Sequence, residues 1–445
     1  MTVLRTLLWG PHILVLILGT GIYLSFRGRF MQFWKIPKLL PTALRGHMAE
    51  GEQVTAFQAL SASLAGSLGT GNIIGVAAAL SVGGPGAVVW MWISALFGMM
   101  TVYAEGWLSA KFSTARFPGA TGYIQKALGK PAAKIYAAGC VLSALGMGTM
   151  AQTGAISAAF ENVSVPPVIT GVMVAVLLII CVHGGLQRAV RVTEKLVPFM
   201  SGLFLLACCA VLILCAERIP GALLLMIRSA FLPRAAVGGA AGLWISIQVG
   251  ISRGVFTNEA GLGSGTFALC KVKEKRPEEV GALGALQVFI DTIFLCTITA
   301  LCLLVSSGSG NGAAFTLSAF SSVLGYAGSA TVSASMALFA FATVVAWSCY
   351  GMEALSFLVP TAGTAGRNIY ILFAALACFL GCILSFDGVL IFCDAFNGIM
   401  AIPNTLALLR LSSVIFEENS GKDEEFFTKI TQFAKKTVDF LSARC

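Results

Sequence analysis

Asn72, Gln152, Arg253, Glu259, Asp291 and Thr343 each interrupt a run of apolar residues. Side chains of these types can coordinate a cation, hydrogen-bond an amino or carboxyl group, or pair as buried ions. They do not form a set suited to covalent catalysis. The histidines, His12, His47 and His183, lie near the ends of apolar runs, and Asp291 has no obvious carboxylate twin. No Walker-type phosphate loop is present, which excludes an ATP-driven pump. Glu105 and Glu353 fall nearer the inner ends of their runs, where snorkelling to the interface accounts for them.

Two segments concentrate the polar residues. The first is Ser61-Ala-Ser-Leu-Ala-Gly-Ser-Leu-Gly69-Thr70-Gly71-Asn72-Ile-Ile-Gly75, and the second runs from Gln248 through Gly250, Ser252, Arg253, Gly254, Phe256, Asn258 and Glu259 to Gly261. Each reads as a helix interrupted at membrane depth, where lipid cannot satisfy freed backbone groups and a cavity or ligand must. Paired interruptions in two halves of a chain are the sequence pointer to the binding site of an inverted-repeat transporter. In the first break, glycine permits unwound backbone. The half-helix starting near Asn72 offers free N–H groups and a positive dipole end to a carboxylate. The preceding half ends in carbonyls from Ala65 to Leu68, suited to sodium or an ammonium group. The second break adds expected carbonyls at Val249 and Gly250.

Arg253, Glu259 and Asp291 at membrane depth are costly and point to function: they contact ligand, or they pair as a buried ion bridge that gates the helices. Thr343 and Trp347 are one helical turn apart and share a face, one offering a hydroxyl and the other a flat apolar wall. Gln152 is a lone amide, serving either as interhelical glue or as a ligand donor. Gly69-x-Gly71-x-x-x-Gly75 is one residue off a dinucleotide fingerprint, and no strand precedes it.

These positions must be held by a membrane-spanning scaffold. The chain is 57% hydrophobic and 11% charged. Apolar stretches near twenty residues recur, each enough for about 30 Å of hydrocarbon. About eleven spans are expected: 9–26, 55–80, 86–112, 132–160, 166–187, 195–216, 237–266, 280–306, 329–358, 367–385 and 387–410. The net charge of +9 does not indicate nucleic acid, because the basic residues occupy alternate loops. Loops placed inside carry Lys111 to Lys134, then Arg188, Arg191 and Lys195, then Lys271 to Arg276, then Arg367; those outside carry Arg5, Arg218, Arg228 and Arg234. This positive-inside pattern puts the N-terminus outside and the C-terminus in the cytoplasm of a cell-membrane protein. The first run, followed by Arg27, Arg29 and Lys35, is a retained helix rather than a signal peptide. The 13 cysteines are scattered without a Cys-x-x-Cys pair and read as small buried hydrophobes. No metal beyond an alkali cation and no cofactor is expected.

The fold class is an all-α polytopic membrane protein. A peripheral first helix and connector (1–48) precede two inverted five-helix repeats, 49–216 and 237–411, each opening on a discontinuous helix. An external interfacial connector covers 217–236, with helix expected over Ile219–Leu232, and a second interfacial helix covers Ala313–Tyr326. A cytoplasmic amphipathic tail covers 412–445.

Several motifs resemble the alanine or glycine:cation symporter family. They are Gly69-Thr-Gly-Asn-Ile-Ile-Gly-Val-Ala, Gly83-Gly-Pro-Gly-Ala-Val-Val-Trp-Met-Trp, Gly98-Met-Met-Thr-Val-Tyr-Ala-Glu105, Arg253-Gly-Val-Phe-Thr-Asn-Glu-Ala-Gly-Leu-Gly-Ser264, Asp291-Thr-Ile-Phe-Leu-Cys-Thr, Trp347-Ser-Cys-Tyr-Gly and Asp394-Ala-Phe-Asn-Gly-Ile-Met-Ala-Ile-Pro-Asn404. They run in order over nearly the whole chain. The resemblance implies sodium- or proton-coupled symport of a small neutral amino acid, alanine or glycine, by a fold of the amino acid–polyamine–cation type. It carries the substrate carboxylate to the backbone of Thr70, Gly71 and Asn72. The ammonium goes to Val249 and Gly250 with Gln152, and the pocket wall to Thr343 and Trp347, with Phe256 also counted as a substrate contact. Sodium is placed between the Ala65 and Leu68 carbonyls and Ala342 with Thr343. Departures from the family pattern occur at Thr149 and Gly154, at Gly265–Lys271, and at Met352–Glu353. They leave open an amino-acid sensor built on a transporter scaffold as the alternative.

Overall fold

The computed structural model describes residues 10–44, 54–161, 164–231, 240–272, 276–384 and 386–417. Most of the tail, 418–445, and residues 232–236 of the connector, including Leu232 of its expected helix, lie outside these. Among the described residues the chain is helical, with one isolated bridge between Thr114 and Phe117. Every expected run holds helix, and among the described residues seven helices are long and apolar enough to cross a membrane. Pro11–Arg27, Ile74–Gly83 and Pro167–Val182 are apolar and shorter.

In chain order the elements are α1 (Pro11–Arg27), α2 (Ile36–Leu44), α3 (Ala56–Ser67), α4 (Ile74–Gly83), α5 (Ala87–Phe112), α6 (Ala120–Leu128) and α7 (Lys130–Leu145). A π-helical turn, Gly146–Met150, joins α7 to α8 (Ala151–Glu161). Then come α9 (Pro167–Val182), α10 (Leu186–Leu214), α11 (Ile219–Phe231), α12 (Ala240–Asn258) and α13 (Pro277–Val288). A second π segment, Phe289–Cys296, leads into α14 (Thr297–Val305). The last helices are α15 (Gly312–Leu358), α16 (Gly363–Ile383) and α17 (Phe386–Arg410). The expected interfacial helix at 313–326 is the first arm of α15, which kinks at Gly325 with φ of 64°. Such a φ favours glycine because it carries no Cβ.

Local chemistry explains several boundaries. Thr55 and Gln58 form a reciprocal capping box on α3, with bonds of 3.1 and 2.9 Å, satisfying two end donors at once. Pro11 opens α1, where its missing N–H costs nothing. Close approach rests on small residues: a Cβ on Gly106 would meet the Val280 carbonyl at 2.9 Å, and one on Gly281 the Tyr103 carbonyl at 2.8 Å. These glycines let α5 and α13 pack backbone to backbone.

The helix contacts pair the two halves. α4 packs on α12, α5 on α13, α7 and α8 on α15, and α9 on α16; α10 packs on α15 as α17 packs on α7. On the periphery, Ile169, Val172, Val176 and Ile180 of α9, with Ile369, Leu372, Phe373 and Leu376 of α16, are about half exposed. Apolar stripes of this size are the lipid-facing surface of a multi-pass membrane protein.

Candidate transport site

Polar side chains are buried where the two interruptions meet. After α3 the chain turns through Leu68 and Gly69 into a 3-10 turn, Thr70–Asn72, before α4 begins. Gln152, just after the π turn, accepts hydrogen bonds from the Thr70 N–H (3.2 Å) and hydroxyl (3.1 Å). The Thr343 hydroxyl donates to the Ala65 carbonyl at 2.9 Å, and Tyr350 about two turns further along donates to Ala62 at 2.8 Å. A Cβ on Gly69 would lie 2.9 Å from Thr343 Oγ1 and 3.1 Å from Gln152 Oε1, so glycine alone fits between them. Ala65, Leu68, Ala342 and Thr343, the expected cation residues, are all buried here. Asn72, fully buried, donates to the Asp291 carbonyl (3.0 Å) and carboxylate (2.8 Å).

The second interruption is not where the sequence pointed. α12 is unbroken from Ala240 to Asn258, so the Val249 and Gly250 carbonyls lie inside a regular helix and are not freed by a break. A Cβ on Gly250 would collide with the Ala87 carbonyl and Trp90, and one on Gly254 with Ser94 and Met91. Those glycines serve packing against α5. The chain instead leaves helix at Glu259 (φ 57°), Gly261 (φ 90°) and Gly263 (φ 67°). Phe256 lies one turn before this break and is partly buried against the core.

Glu259 and Asp291, read from the sequence as ligand contacts or as partners of Arg253, both accept hydrogen bonds from neutral groups. Glu259 accepts from the Trp347 indole N–H (2.8 Å) and the Ser264 hydroxyl (2.5 Å). Asp291 accepts from Asn72 and from the Thr292 hydroxyl (2.7 Å). Neutral donors reach both carboxylates, and Arg253 is half-buried on α12. Trp347 is fully buried, with its Cβ against Gly148 of the π turn, so it clamps the second break to that turn.

Glu105 does not snorkel. It is buried and accepts from the Gly261 N–H (3.0 Å), the Gly263 N–H (3.2 Å) and the Asn404 amide (2.7 Å). It thereby satisfies backbone donors that the positive-φ turn exposes. Tyr136 donates to the Leu262 carbonyl at 2.9 Å, and Tyr123 to Asn404 at 2.5 Å. Sequence reading missed this anchor, although a carboxylate about two turns inside a 26-residue apolar helix was itself a sign. Glu353 pairs with Lys271 at 2.9 Å.

The breaks touch. A Cβ on Gly71 would sit 2.9 Å from Thr257 Cγ2, and the Thr257 hydroxyl faces Thr292 at 3.2 Å. A helical membrane protein whose two interrupted helices meet at a buried polar centre, with glycine-freed backbone instead of catalytic groups, is a broken-helix transporter. The sodium:alanine symporter family profile matches residues 1–434. An uncharacterized transporter of Haemophilus influenzae is 37% identical over 433 residues, 94% of each chain. The sodium/alanine symporter AgcS of Methanococcus maripaludis is 36% identical over 440 residues, covering 94% of this chain and 96% of that one. The putative sodium/proton-dependent alanine carrier protein YrbD of Bacillus subtilis is 30% identical over 436 residues, 92% of this chain and 89% of its own. The chain belongs to the sodium:alanine symporter family. It is a cation-coupled amino-acid symporter and not an enzyme.

Proposed function

We propose that this protein imports alanine, and glycine with it, together with sodium across the cell membrane by alternating access. The observation that carries the reading is the first break, held on three sides by Gln152, Thr343 and Thr257 with no room for a Cβ at Gly69 or Gly71. A site so tight favours a substrate with a small side chain, because a larger one pays in steric clash. The N–H groups of Gly71 and Asn72 begin a helix whose first donors lack intrahelical partners, and they take the substrate carboxylate. Gln152 orients Thr70 beside them. The ammonium takes the terminal carbonyls of α12 next to Thr257, which the helix end leaves without intrahelical partners. Trp347 closes the pocket, with Phe256 beside it. Sodium bridges the Ala65 and Leu68 carbonyls to Thr343 with Ala342, tying the first broken helix to α15.

The relatives' printed names support alanine as substrate and sodium as the ion. In this reading the two fives, 49–216 and 237–411, are inverted repeats behind a peripheral first helix, and the helices carrying both breaks rock against the rest. The N-terminus is outside, and the basic surface of Arg188, Arg191 and Lys195 faces the cytoplasm. The test is radiolabelled alanine and glycine uptake into proteoliposomes, with and without an inward sodium gradient at fixed pH. Sodium-stimulated accumulation is expected. Accumulation that follows a proton gradient and ignores sodium overturns the coupling assignment, and no uptake of either amino acid overturns the substrate.

A further inference from the structure

We infer that the basic end of α10 carries a site for one anionic phospholipid, its phosphate held by Arg188, Arg191 and Lys195 and an acyl chain laid along Phe199. The inference goes beyond the transport reading and does not depend on which amino acid or ion is carried.

α10 has 29 residues, about 43 Å at the helical rise, against about 30 Å of hydrocarbon. Beyond Lys195 no charged residue follows until Glu217. The apolar part therefore fills the hydrocarbon, and the excess of about nine residues projects at the basic end. Arg188 and Arg191 stand at headgroup level, and Lys195 reaches it by snorkelling.

These residues also share one face. Arg188, Arg191, Lys195 and Phe199 recur at three- and four-residue spacing, and the face continues through Leu206 and Ile213, which are 72% and 74% exposed. Val190, Val197, Phe204 and Val211, on the opposite side, are buried. Arg188, Arg191, Val192, Lys195, Leu196 and Phe199 line one open groove of about 610 Å³. Charge at one end and an exposed apolar run at the other match a phospholipid; a free anion would leave the apolar run bare. In the orientation proposed above, the basic end meets the leaflet where acidic headgroups gather on such clusters.

Among the described residues none of the three cations has a carboxylate partner. Glu194, beside them in the helix, accepts from Gln58 Nε2 at 2.9 Å, on the side that packs on α3. Lys271 and Arg276, by contrast, are paired with Glu353 and Glu279. Like charges within about two turns of one face repel. A phosphate relieves that repulsion with charge-assisted bonds, the arginines in forked geometry. A zwitterionic phospholipid brings its own ammonium to an already positive site, so the site selects net negative charge. Because α10 packs on α3 and α15, the bound lipid braces the helix behind the first break.

The test counts lipids. The purified full chain in uncharged detergent is titrated with phosphatidylglycerol and, separately, with phosphatidylcholine, and bound lipid is counted by native mass spectrometry. One phosphatidylglycerol per chain is expected to be retained where phosphatidylcholine is not, and to be lost as salt rises. Arg188→Gln, Arg191→Gln and Lys195→Gln are each expected to weaken retention about fivefold, and all three together roughly a hundredfold. An unchanged melting temperature in phosphatidylcholine guards against misfolding, and the single variants remain readable if the triple one unfolds. Lys126→Gln, Lys130→Gln and Lys134→Gln together remove the same charge from another exposed group and are expected to leave retention intact. Equal loss in that control reduces the effect to net charge and overturns the site. So does equal retention of phosphatidylcholine, or displacement of the lipid by inorganic phosphate. Phosphatidylglycerol retained only after Asp423, Glu424 and Glu425 are changed to amides would assign the groove to the acidic tail and overturn the lipid site as well.

Discussion

Substituting Gly71 by alanine tests whether the two breaks are packed together as the site requires. Gly71 sits in the 3-10 turn without a positive φ, so alanine can adopt its backbone. The obstacle is steric: the new Cβ would lie 2.9 Å from Thr257 Cγ2. That methyl cannot swing away cheaply, because the Thr257 hydroxyl on the same carbon donates to the Gly254 carbonyl (2.9 Å) and faces Thr292 (3.2 Å). Forcing one methyl into a tightly packed place costs about 1–3 kcal/mol. If it falls on the loaded state, apparent alanine affinity in proteoliposomes drops about 5- to 150-fold, at about 1.4 kcal/mol per tenfold. Gly75→Ala is the control: nothing lies within 4 Å of its Cβ, and alanine in a helix interior gains about 0.5–1 kcal/mol over glycine. Thr257→Ser, which deletes Cγ2 and keeps the hydroxyl, is expected to restore transport to the Gly71→Ala protein. Wild-type affinity in Gly71→Ala, or a double variant no better than the single one, refutes the contact.

Trp347→Phe keeps an aromatic ring but loses the pyrrole part of the indole with the N–H that Glu259 accepts at 2.8 Å; a bond to a charged group is worth about 1.5–3 kcal/mol. Uptake is expected to fall roughly 10- to 150-fold at unchanged membrane yield, and equal uptake would show the indole N–H to be idle. Gln152→Ala strips the acceptor from the Thr70 N–H and hydroxyl, at about 0.5–1.5 kcal/mol each. Weaker apparent alanine affinity is expected, and an unchanged affinity in an uptake titration would assign Gln152 to helix packing. Burial would lower the Lys271 ammonium, but the Glu353 carboxylate at 2.9 Å outweighs it and leaves the group raised. A raised folded-state value means this contribution is full below the unfolded value of about 10.4 and is lost as pH rises through the folded one. The half-buried pair is worth up to about 1 kcal/mol. Wild type is therefore expected to melt above Glu353→Gln by a margin that is constant from neutral pH to about 10 and closes beyond it. A margin that closes near neutrality contradicts the assignment.

The first break was legible because Gly69 and Gly71 bracket a threonine inside an apolar run, and nothing but a backbone interruption needs that pattern there. The second was displaced by several residues because glycine has two uses. Gly250 and Gly254 looked like helix breakers, yet they are the small residues that let α12 lie on α5. The break falls at Glu259, Gly261 and Gly263, where φ turns positive. Sequence spacing cannot separate a glycine that removes a side chain from one that frees the backbone, because the difference lies in the neighbouring helix. The carboxylates show the same limit. Arg253, Glu259 and Asp291 share a depth in the sequence, which suggests an ion pair, but Trp347 reaches Glu259 from a distant part of the chain and Ser264 from five residues on. Glu105 was discounted for lying toward one end of its helix, and the fold brings Gly261, Gly263 and Asn404 to it.

Two departures from the family pattern meet in space. The altered run Gly265–Lys271 follows the second break, and the displaced Glu353 lies toward the end of α15. Lys271 and Glu353 form one ion pair, so the run after the break is tied to the helix that carries Thr343 and Trp347. At the head of the same run, a Cβ on Gly265 would fall 2.6 Å from Ser63 Oγ, which donates to Gln287. Glycine there leaves room for a polar contact between the first broken helix and α13. Each change alone would leave an unpaired charge or a clash, whereas together they close into satisfied contacts. The departures therefore rebuild the support beneath the breaks and leave Thr70 on Gln152, Thr343 on Ala65 and Asn72 on Asp291. That is the condition under which an altered member of the family keeps transport.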